Sequence, residues 1–428
     1  MKLLLAISLS LFALASAVPG ETLVLVDSLS FRDTHSQFFN FLEERGYKLT
    51  FKQADDSTLT LKKYGEFLYK HLILFTPTTE EFGGTINVQA LTEFIDNGGN
   101  VLAAVNSRVG NVMKELAAEC GFEVDSEGNQ MFDHHNYDVY LDKGDHTVIA
   151  FDSSQVIDVP AMIGTKKLEP MLFSGIGLIT DRKNPLVTTV IRSSATAYSA
   201  PASKAVTSTP LVAGEKGALV ASLQARNNAR VLFSGSLSMF SNEYLDAVVK
   251  TNGDLMAVKS GNKDLVESLA RWVFKETGVL RYSDVKHGGP YTVMDNASFS
   301  MKVEMLDNAG KWIPYDAPSI QLEFVRIDPF VRTEMKREAN DGTYGVTFKV
   351  PDVYGVYRFK VDHRRRGYDN LVVASQVSVH PLQHTMYERF IPAAKPYYWS
   401  AFSMMLGLFV FSFVFIHHKE PASKHKKE

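Results

Sequence analysis

The residues able to do chemistry are few and scattered. A hydrolase built on an α/β sheet carries its nucleophile on a sharp, glycine-flanked turn after a strand. Two segments invite that reading: NVLAAVNSRVG, with Asn106 and Ser107, and FSGSLSMF, with Ser236 and Ser238. Neither has the pair of glycines that lets such a turn close. Cys120, between Glu119 and Gly121, has no neighbouring base and is expected as a small buried side chain. The densest set of metal-ligating types is Asp133, His134, His135 and Asp138, with His146 nearby. Adjacent histidines point apart on a helix or a strand, so this set is expected to be a polar surface turn. The chain has no H-E-x-x-H, no phosphate-loop lysine, no G-x-G-x-x-G after its first strand and no Asp-x-Asp pair. The expectation is therefore no catalytic, cofactor-binding or metal-binding residue and no cofactor.

Charge and cysteine usage narrow the class further. The 45 Lys+Arg nearly balance the 48 Asp+Glu, which excludes broad electrostatic binding to nucleic acid. A single cysteine in 428 residues excludes an intrachain disulfide and a thiolate zinc site. Packing has to hold the chain together. At the N-terminus, Lys2, the apolar run Leu3 to Leu14 and Ala15-Ser16-Ala17 read as a signal peptide over residues 1–17, too short in its apolar part to span a bilayer. At the other end, YYWSAFSMMLGLFVFSFVFI, residues 397–416, carries no formal charge and is one bilayer crossing long. Tyr397, Tyr398 and Trp399 form an aromatic belt on one side, and His417, His418, Lys419, Lys424, Lys426 and Lys427 crowd the other. The basic side belongs in the cytosol, so the chain reads as a single-pass type I membrane protein with residues 417–428 as its tail.

Between these ends the pattern divides in two. From Glu21 to about residue 280, short apolar runs alternate with amphipathic stretches: TLVLVD, a helix from about Asp33 to Arg45, YKLTFK, HLILFTP, a helix from about Val88 to Asp96, NVLAAVN and a helix from about Asn111 to Cys120. That rhythm predicts a parallel sheet covered on both faces. The period is lost near 141–213, which is expected as an irregular insertion. It returns in a hairpin turning at Asn227-Asn228 and in a helix from about Asp264 to Thr277. Residues 281–385 alternate at period two and predict an all-β sandwich of immunoglobulin-like kind, joined to the span by a linker over 386–396.

Several polar signals remain. Asn296-Ala297-Ser298 is a glycosylation sequon. His363-Arg364-Arg365-Arg366 before Gly367 is expected as a solvated hairpin tip. Ser403 and Gly407 share one helix face of the span, where small side chains let another helix approach. Lys424 and Lys426 stand fifth and third from the end, like the K-x-K-x-x retrieval signal of endoplasmic reticulum proteins.

The segments ETLVLVDSLSFRDTHSQFFNFLEERGYKLTFKQADD, LILFTPTTEEFGG, DNGGNVLAAV, ARVLFSGSLSMFSN and RWVFKETGVLR occur in the order and topology of one family. The chain resembles the 48-kDa subunits of the eukaryotic oligosaccharyltransferase from about Glu21 to its tail. The resemblance implies an amidotransferase-like α/β domain, residence in the endoplasmic reticulum membrane, and a place in the complex that transfers a preassembled oligosaccharide from dolichyl diphosphate to asparagine in N-x-S/T sites. It implies an accessory, non-catalytic role in assembly and stability, with the catalytic subunit, the ribophorins and small membrane subunits as partners. The three tryptophans, Trp272, Trp312 and Trp399, lie outside any Trp-Trp-Asp motif of the kind the catalytic subunit carries. Two other classes stand beside this reading: a lumenal amidotransferase-like hydrolase, and a type I surface receptor on an immunoglobulin-like stalk.

Overall fold

The computed structural model of the chain describes residues 20–202, 206, 209–251, 256–307, 309–389 and 391–419. The expected signal peptide over 1–17 and the lysines Lys424 and Lys426 lie outside the described residues.

The first unit is built on central strands whose residues are buried on both faces, with a half-exposed strand at the edge. Strands β1 (Glu21–Val26), β2 (Lys48–Gln53), β3 (His71–Phe75) and β4 (Asn100–Ala104) run parallel. Alternate side chains serve separate cores, as the two-residue period of a strand requires. Val24, Val26, Ile73 and Phe75 face α1 (Ser36–Glu44) and α4 (Asn262–Val273). Leu23, Leu25, Leu72 and Leu74 face α2 (Val88–Asp96) and α3 (Asn111–Glu119). The Asn87 side chain caps α2, accepting from the Ala90 N–H at 2.7 Å. Phe38, Phe39 and Leu42 on α1 are core contacts.

The sheet is parallel in only half of its width. Its order is β2-β1-β3-β4-β13-β12-β9-β5, where β5 is Phe122–Val124, β9 Leu178–Thr180, β12 Ala218–Gln224 and β13 Arg230–Ser234. Strand β13 continues the parallel set on β4, but the β12–β13 hairpin reverses direction. Strands β5, β9 and β10 (Val187–Arg192) then pair antiparallel. The stretch expected as an irregular insertion therefore supplies β9 and β10 to the main sheet. It also contributes to two small antiparallel pairs: β7 (Ile149–Phe151) with β8 (Met171–Phe173) inside it, and β11 (Tyr198–Pro201) with β6 (Asn129–Phe132), which precedes it. The turn expected at Asn227-Asn228 is present, with Asn228 at a φ of 68°.

The second unit is all-β. Its strands are β14 (Leu280–His287), β15 (Tyr291–Thr292), β16 (Asn296–Leu306), β17 (Trp312–Pro314), β18 (Ile320–Val325), β19 (Pro329–Arg337), β20 (Thr343–Lys349), β21 (Gly355–His363) and β22 (Leu371–His380). They follow the order β14-β16-β20-β19-β18-β21-β22-β15, with β17 on β16. Strand β19 pairs with both β18 and β20, so the strands wrap around one core that includes Phe299, Phe324, Tyr357 and Phe359. Beyond it, α5 (Lys395–His417) is 23 residues long, about 35 Å at the α-helical rise. Among the described residues it is the one helix long and apolar enough to cross a membrane, and none of its span is buried against the rest of the chain.

Candidate functional site

In an open α/β sheet, ligands bind where the strand order reverses, beyond the carboxyl ends of the strands. Here that point lies between β1 and β3, and the chain's own loop fills it. The Asp27 carboxylate, just past β1, accepts from the Thr78 N–H at 2.8 Å, the Thr78 hydroxyl at 2.7 Å and the Thr79 hydroxyl at 2.5 Å. Gly110, which opens α3, donates to the Pro77 carbonyl at 2.8 Å. The polar groups of this crevice are committed to one another.

Neither candidate nucleophile turn has the geometry of one. Such a turn holds its nucleophile at positive φ, and among the described residues the non-glycine residues with positive φ are Tyr64, His146, Asn228, Lys275, Asp284 and Met294. Asn106 instead makes a local turn, its Oδ1 accepting from the Arg108 N–H at 2.8 Å. Ser236 is buried, donates to the Ser174 carbonyl at 2.6 Å and accepts from the Met239 N–H, so its hydroxyl holds a bend. Ser238 accepts at its carbonyl from the Ser241 hydroxyl. Cys120 is buried at the C-terminal end of α3, and burial pushes its thiol pKa up to about 12.

The cluster at 133–146 departs from expectation. Asp133 and Asp138 are fully buried rather than on a surface turn. Asp133 accepts from the His135 and Asn136 N–H groups, the Thr196 hydroxyl at 2.8 Å and the Ser194 hydroxyl. Burial favours its neutral form, but these donors outweigh it and hold the carboxyl below the usual range. Asp138 accepts from the Tyr140, Leu141 and Lys250 N–H groups. Both carboxylates satisfy loop backbone that would otherwise be buried without partners. His134 turns to the surface, its Nδ1 2.7 Å from that of His146 and its Nε2 2.8 Å from the Tyr198 hydroxyl. Among the described residues no group of three or more His, Cys, Asp or Glu is placed to hold a metal ion.

The strongest polar construction joins the two units, and residue spacing does not reveal it. Arg230 opens β13 with its guanidinium wholly buried. It donates to the carbonyls of Trp272, Thr277 and Gly278 at 2.6, 2.7 and 2.9 Å, and to Asp369 Oδ1 at 2.7 Å. Asp369 lies in the β21–β22 turn of the all-β unit. Around this pair, Trp272 Nε1 donates to the Gly367 carbonyl at 2.9 Å, Gln224 Nε2 to the Tyr368 carbonyl at 2.7 Å, and the Asp369 N–H to the Gly278 carbonyl at 2.8 Å. Asn228 and Asn370 exchange side-chain and backbone bonds at 2.7 and 3.2 Å. A Cβ on Gly278 would collide with the Gly367 carbonyl, and both glycines have positive φ, so this backbone contact requires glycine. The tip expected to be solvated is thus divided: Arg364, Arg365 and Arg366 are exposed, while Gly367 to Asn370 plug into the α/β unit. The signal available in the sequence was an arginine opening the apolar run VLFS.

Behind the pair runs a buried polar chain. Asn100 Oδ1 accepts from the Arg230 N–H at 3.0 Å, and its Nδ2 lies 3.2 Å from His71 Nδ1. Burial, with Lys70 and Lys275 adding to it, drives the His71 pKa down to about 3. Burial also draws the Arg230 pKa below the usual arginine range, opposed by Asp369.

The remaining expected positions are separate. Asn296 is exposed at the start of β16, opposite Lys349. Ser403 and Gly407 lie on exposed α5; the Ser403 hydroxyl bonds to the Ser400 carbonyl at 2.9 Å, and a Cβ on Gly407 would meet nothing. Trp312 stacks under the Arg281 guanidinium at 4.0 Å. A cavity of about 880 Å³ opens beside the β21–β22 turn, with Arg182, Arg192, Lys216 and Arg366 among its lining side chains.

Comparison with known proteins places this geometry. Residues 13–276 match the family model described as OST48, N-terminal domain, and residues 280–419 match the OST48 middle domain. A relative from Danio rerio, described as the dolichyl-diphosphooligosaccharide–protein glycosyltransferase 48 kDa subunit, is 53% identical over 94% of this chain and 92% of its own length. One of the same description from Drosophila melanogaster is 49% identical over 96% of this chain and 94% of its own length. Among solved structures, a thua-like protein from Parabacteroides merdae aligns with a TM-score of 0.31 and 13% identity over 60% of this chain and 91% of that one.

Proposed function

The chain belongs to the OST48 family, and from that membership we propose that it serves as a non-catalytic subunit of an oligosaccharyltransferase complex, supporting transfer of a preassembled oligosaccharide to asparagine in N-x-S/T sites. The observation that carries the non-catalytic part is how the buried polar groups are used. The carboxylates of Asp27, Asp133, Asp138 and Asp369 are each engaged by the chain's own donors. Transfer from a diphosphate needs a divalent cation held by free carboxylates, and these carboxylates are occupied by structure. We read the α/β unit as amidotransferase-like and the all-β unit as an immunoglobulin-like spacer. The proposal includes single-pass type I insertion in the endoplasmic reticulum membrane, with residues 18–396 lumenal, a retrieval signal at Lys424 and Lys426, and catalytic, ribophorin and small membrane subunits as partners.

The test is transfer from lipid-linked oligosaccharide to an N-x-T peptide. The full chain purified free of other subunits is expected to give none, and complex depleted of the chain is expected to regain activity when it is added back. Transfer by the chain alone overturns the non-catalytic reading, and depleted complex that keeps full activity overturns the subunit role.

A further inference from the structure

The all-β unit has two unlike ends. Strand β22 begins at Leu371, beside the plug that enters the α/β unit, and finishes at His380, about 30 Å away at the rise of a strand. At the far end four segments meet. Gly355 and Tyr291 both pair with Val379, Val325 pairs with Arg358, and the Val293 N–H bonds to the His380 carbonyl. The β18–β19 turn, the entry to β21 and the segment after β15 therefore form a single rim.

That rim exposes apolar side chains where turns ordinarily carry polar ones. Ile327, at the tip of the β18–β19 turn, is 87% exposed, and Tyr354, before β21, is 62% exposed. Phe330, Val356 and Met294 are exposed beside them. The parts are held together: Phe330 lies edge-on to Tyr357 at 5.6 Å, and the Arg326 guanidinium lies over Gly355. Among the described residues, Arg326 is in no ion pair.

The course of the chain indicates what covers this rim. From His380 only fourteen residues, Pro381 to Ala394, lead to α5. Two 3₁₀ turns, His384–Met386 and Pro392–Ala394, shorten that connector. Its exposed side chains include Met386, Tyr387 and Ile391, and α5 opens with Tyr397, Tyr398 and Trp399. The opposite end of the unit is docked on the α/β unit, so the rim is the end facing the span. Aromatic and aliphatic side chains on separate loop tips, with an arginine among them, suit the headgroup layer, where amphipathic rings settle and cations meet phosphates. We propose that this rim rests on the bilayer and inserts Ile327, Tyr354 and Phe330 into the headgroup layer, making the all-β unit a foot that stands on lipid. The proposal rests on reading α5 as the membrane span.

The experiment uses the full chain in phosphatidylcholine vesicles containing, in parallel preparations, lipid spin-labelled near the headgroup or midway along an acyl chain, the second reporting on the site at 409. Single labelling sites are introduced as Ile327→Cys, Tyr354→Cys, Arg364→Cys at the docked end and Phe409→Cys in α5, each carrying an environment-sensitive fluorophore. Cys120 is buried and stays unlabelled. The labels at 327 and 354 are expected to be quenched at least threefold more than the label at 364, with blue-shifted emission. Quenching at 409 with none at 327 and 354 beyond that at 364 overturns the foot and leaves the span standing. Absence of quenching at 409 removes the span and the foot with it. Shielding at 327 that depends on added partner subunits and not on lipid also overturns the proposal and assigns the rim to a protein contact.

Discussion

Replacing Asp369 with alanine tests the joint between the two units most directly. The carboxylate sits 2.7 Å from a guanidinium whose side chain is wholly buried, and is itself 8% exposed. Its removal leaves Arg230 charged in a site without water, because arginine does not give up its proton under these conditions. Breaking a buried pair from one side costs about 3–5 kcal/mol. The three carbonyls that Arg230 also contacts keep part of the guanidinium satisfied, which favours the lower end, about 3 kcal/mol. For a unit of this size each kcal/mol moves the melting temperature by about 2–4 °C, so the α/β unit should melt roughly 10 °C lower. Trp272 reports the event locally, since its indole N–H bonds to the Gly367 carbonyl in the same plug, and its fluorescence should change with the first transition. Asp369→Asn keeps an acceptor but loses the charge, so it should fall between parent and alanine. The pair is dry, so half-molar salt should leave the difference intact, whereas an exposed pair would be screened. An alanine variant melting within about 2 °C of the parent, or a difference that salt abolishes, would refute the account of the joint as a buried ion pair.

Three further outcomes follow from the same structure. His71 has its pKa held at about 3 by burial, against about 6.5 in the unfolded chain; the unfolded state therefore binds the extra proton, and the stability present above pH 6.5 is lost as pH falls. At pH 5 the loss is about 2 kcal/mol, and chemical denaturation of His71→Gln should show a flatter pH dependence. Cys120 should ignore a disulfide thiol reagent in the native chain at pH 8 and titrate as one thiol on unfolding, because its pKa stands at about 12; rapid native reaction would refute its burial. Gly407→Leu adds bulk on the open face of α5 without lowering hydrophobicity, so insertion should survive while co-purification with membrane partners falls; unchanged recovery of every partner would show this face to be incidental.

What was legible in the sequence was local. Apolar runs with clear turns became β1, β3 and β4, and alternation at period two became the second unit, because both patterns report burial of consecutive residues. Departures occur where a distant contact overrides the local one. The helix expected from Asp33 to Arg45 breaks at His35, whose φ of −117° turns its ring toward the Leu237 carbonyl. The helix expected to reach Thr277 stops at Val273, and Lys275 takes a φ of 60°. That early stop presents the Trp272, Thr277 and Gly278 carbonyls to Arg230. Strands β9 and β10 fall in the stretch expected to be irregular: β9 has only three residues, β10 shows no alternation of buried and exposed positions, and their partners lie on β5 and β12. Asp133 and Asp138 were expected on a solvated turn because a carboxylate satisfying buried backbone has no signature apart from its partners.

The joint is polar where an apolar interface would hold the units at least as firmly, and the difference bears on what it does. Apolar contacts tolerate sliding, because dispersion and burial depend weakly on register. Across this joint Arg230 instead binds the Asp369 carboxylate, Trp272 and Gln224 donate to the Gly367 and Tyr368 carbonyls, the Asp369 N–H donates to the Gly278 carbonyl, and Asn228 clasps Asn370 in both directions. These bonds are satisfied together in only one relative orientation, since a shift of about 1 Å takes most of them out of hydrogen-bonding range. The Gly278–Gly367 approach removes the remaining freedom by bringing backbone against backbone. An orientation fixed in this way extends along β22, whose ten residues run from the plug to the rim. A shift of the rim would therefore be carried to the α/β unit as a rotation of the whole chain. The joint around Arg230 and Asp369 thus sets the angle between the α/β unit and the rim.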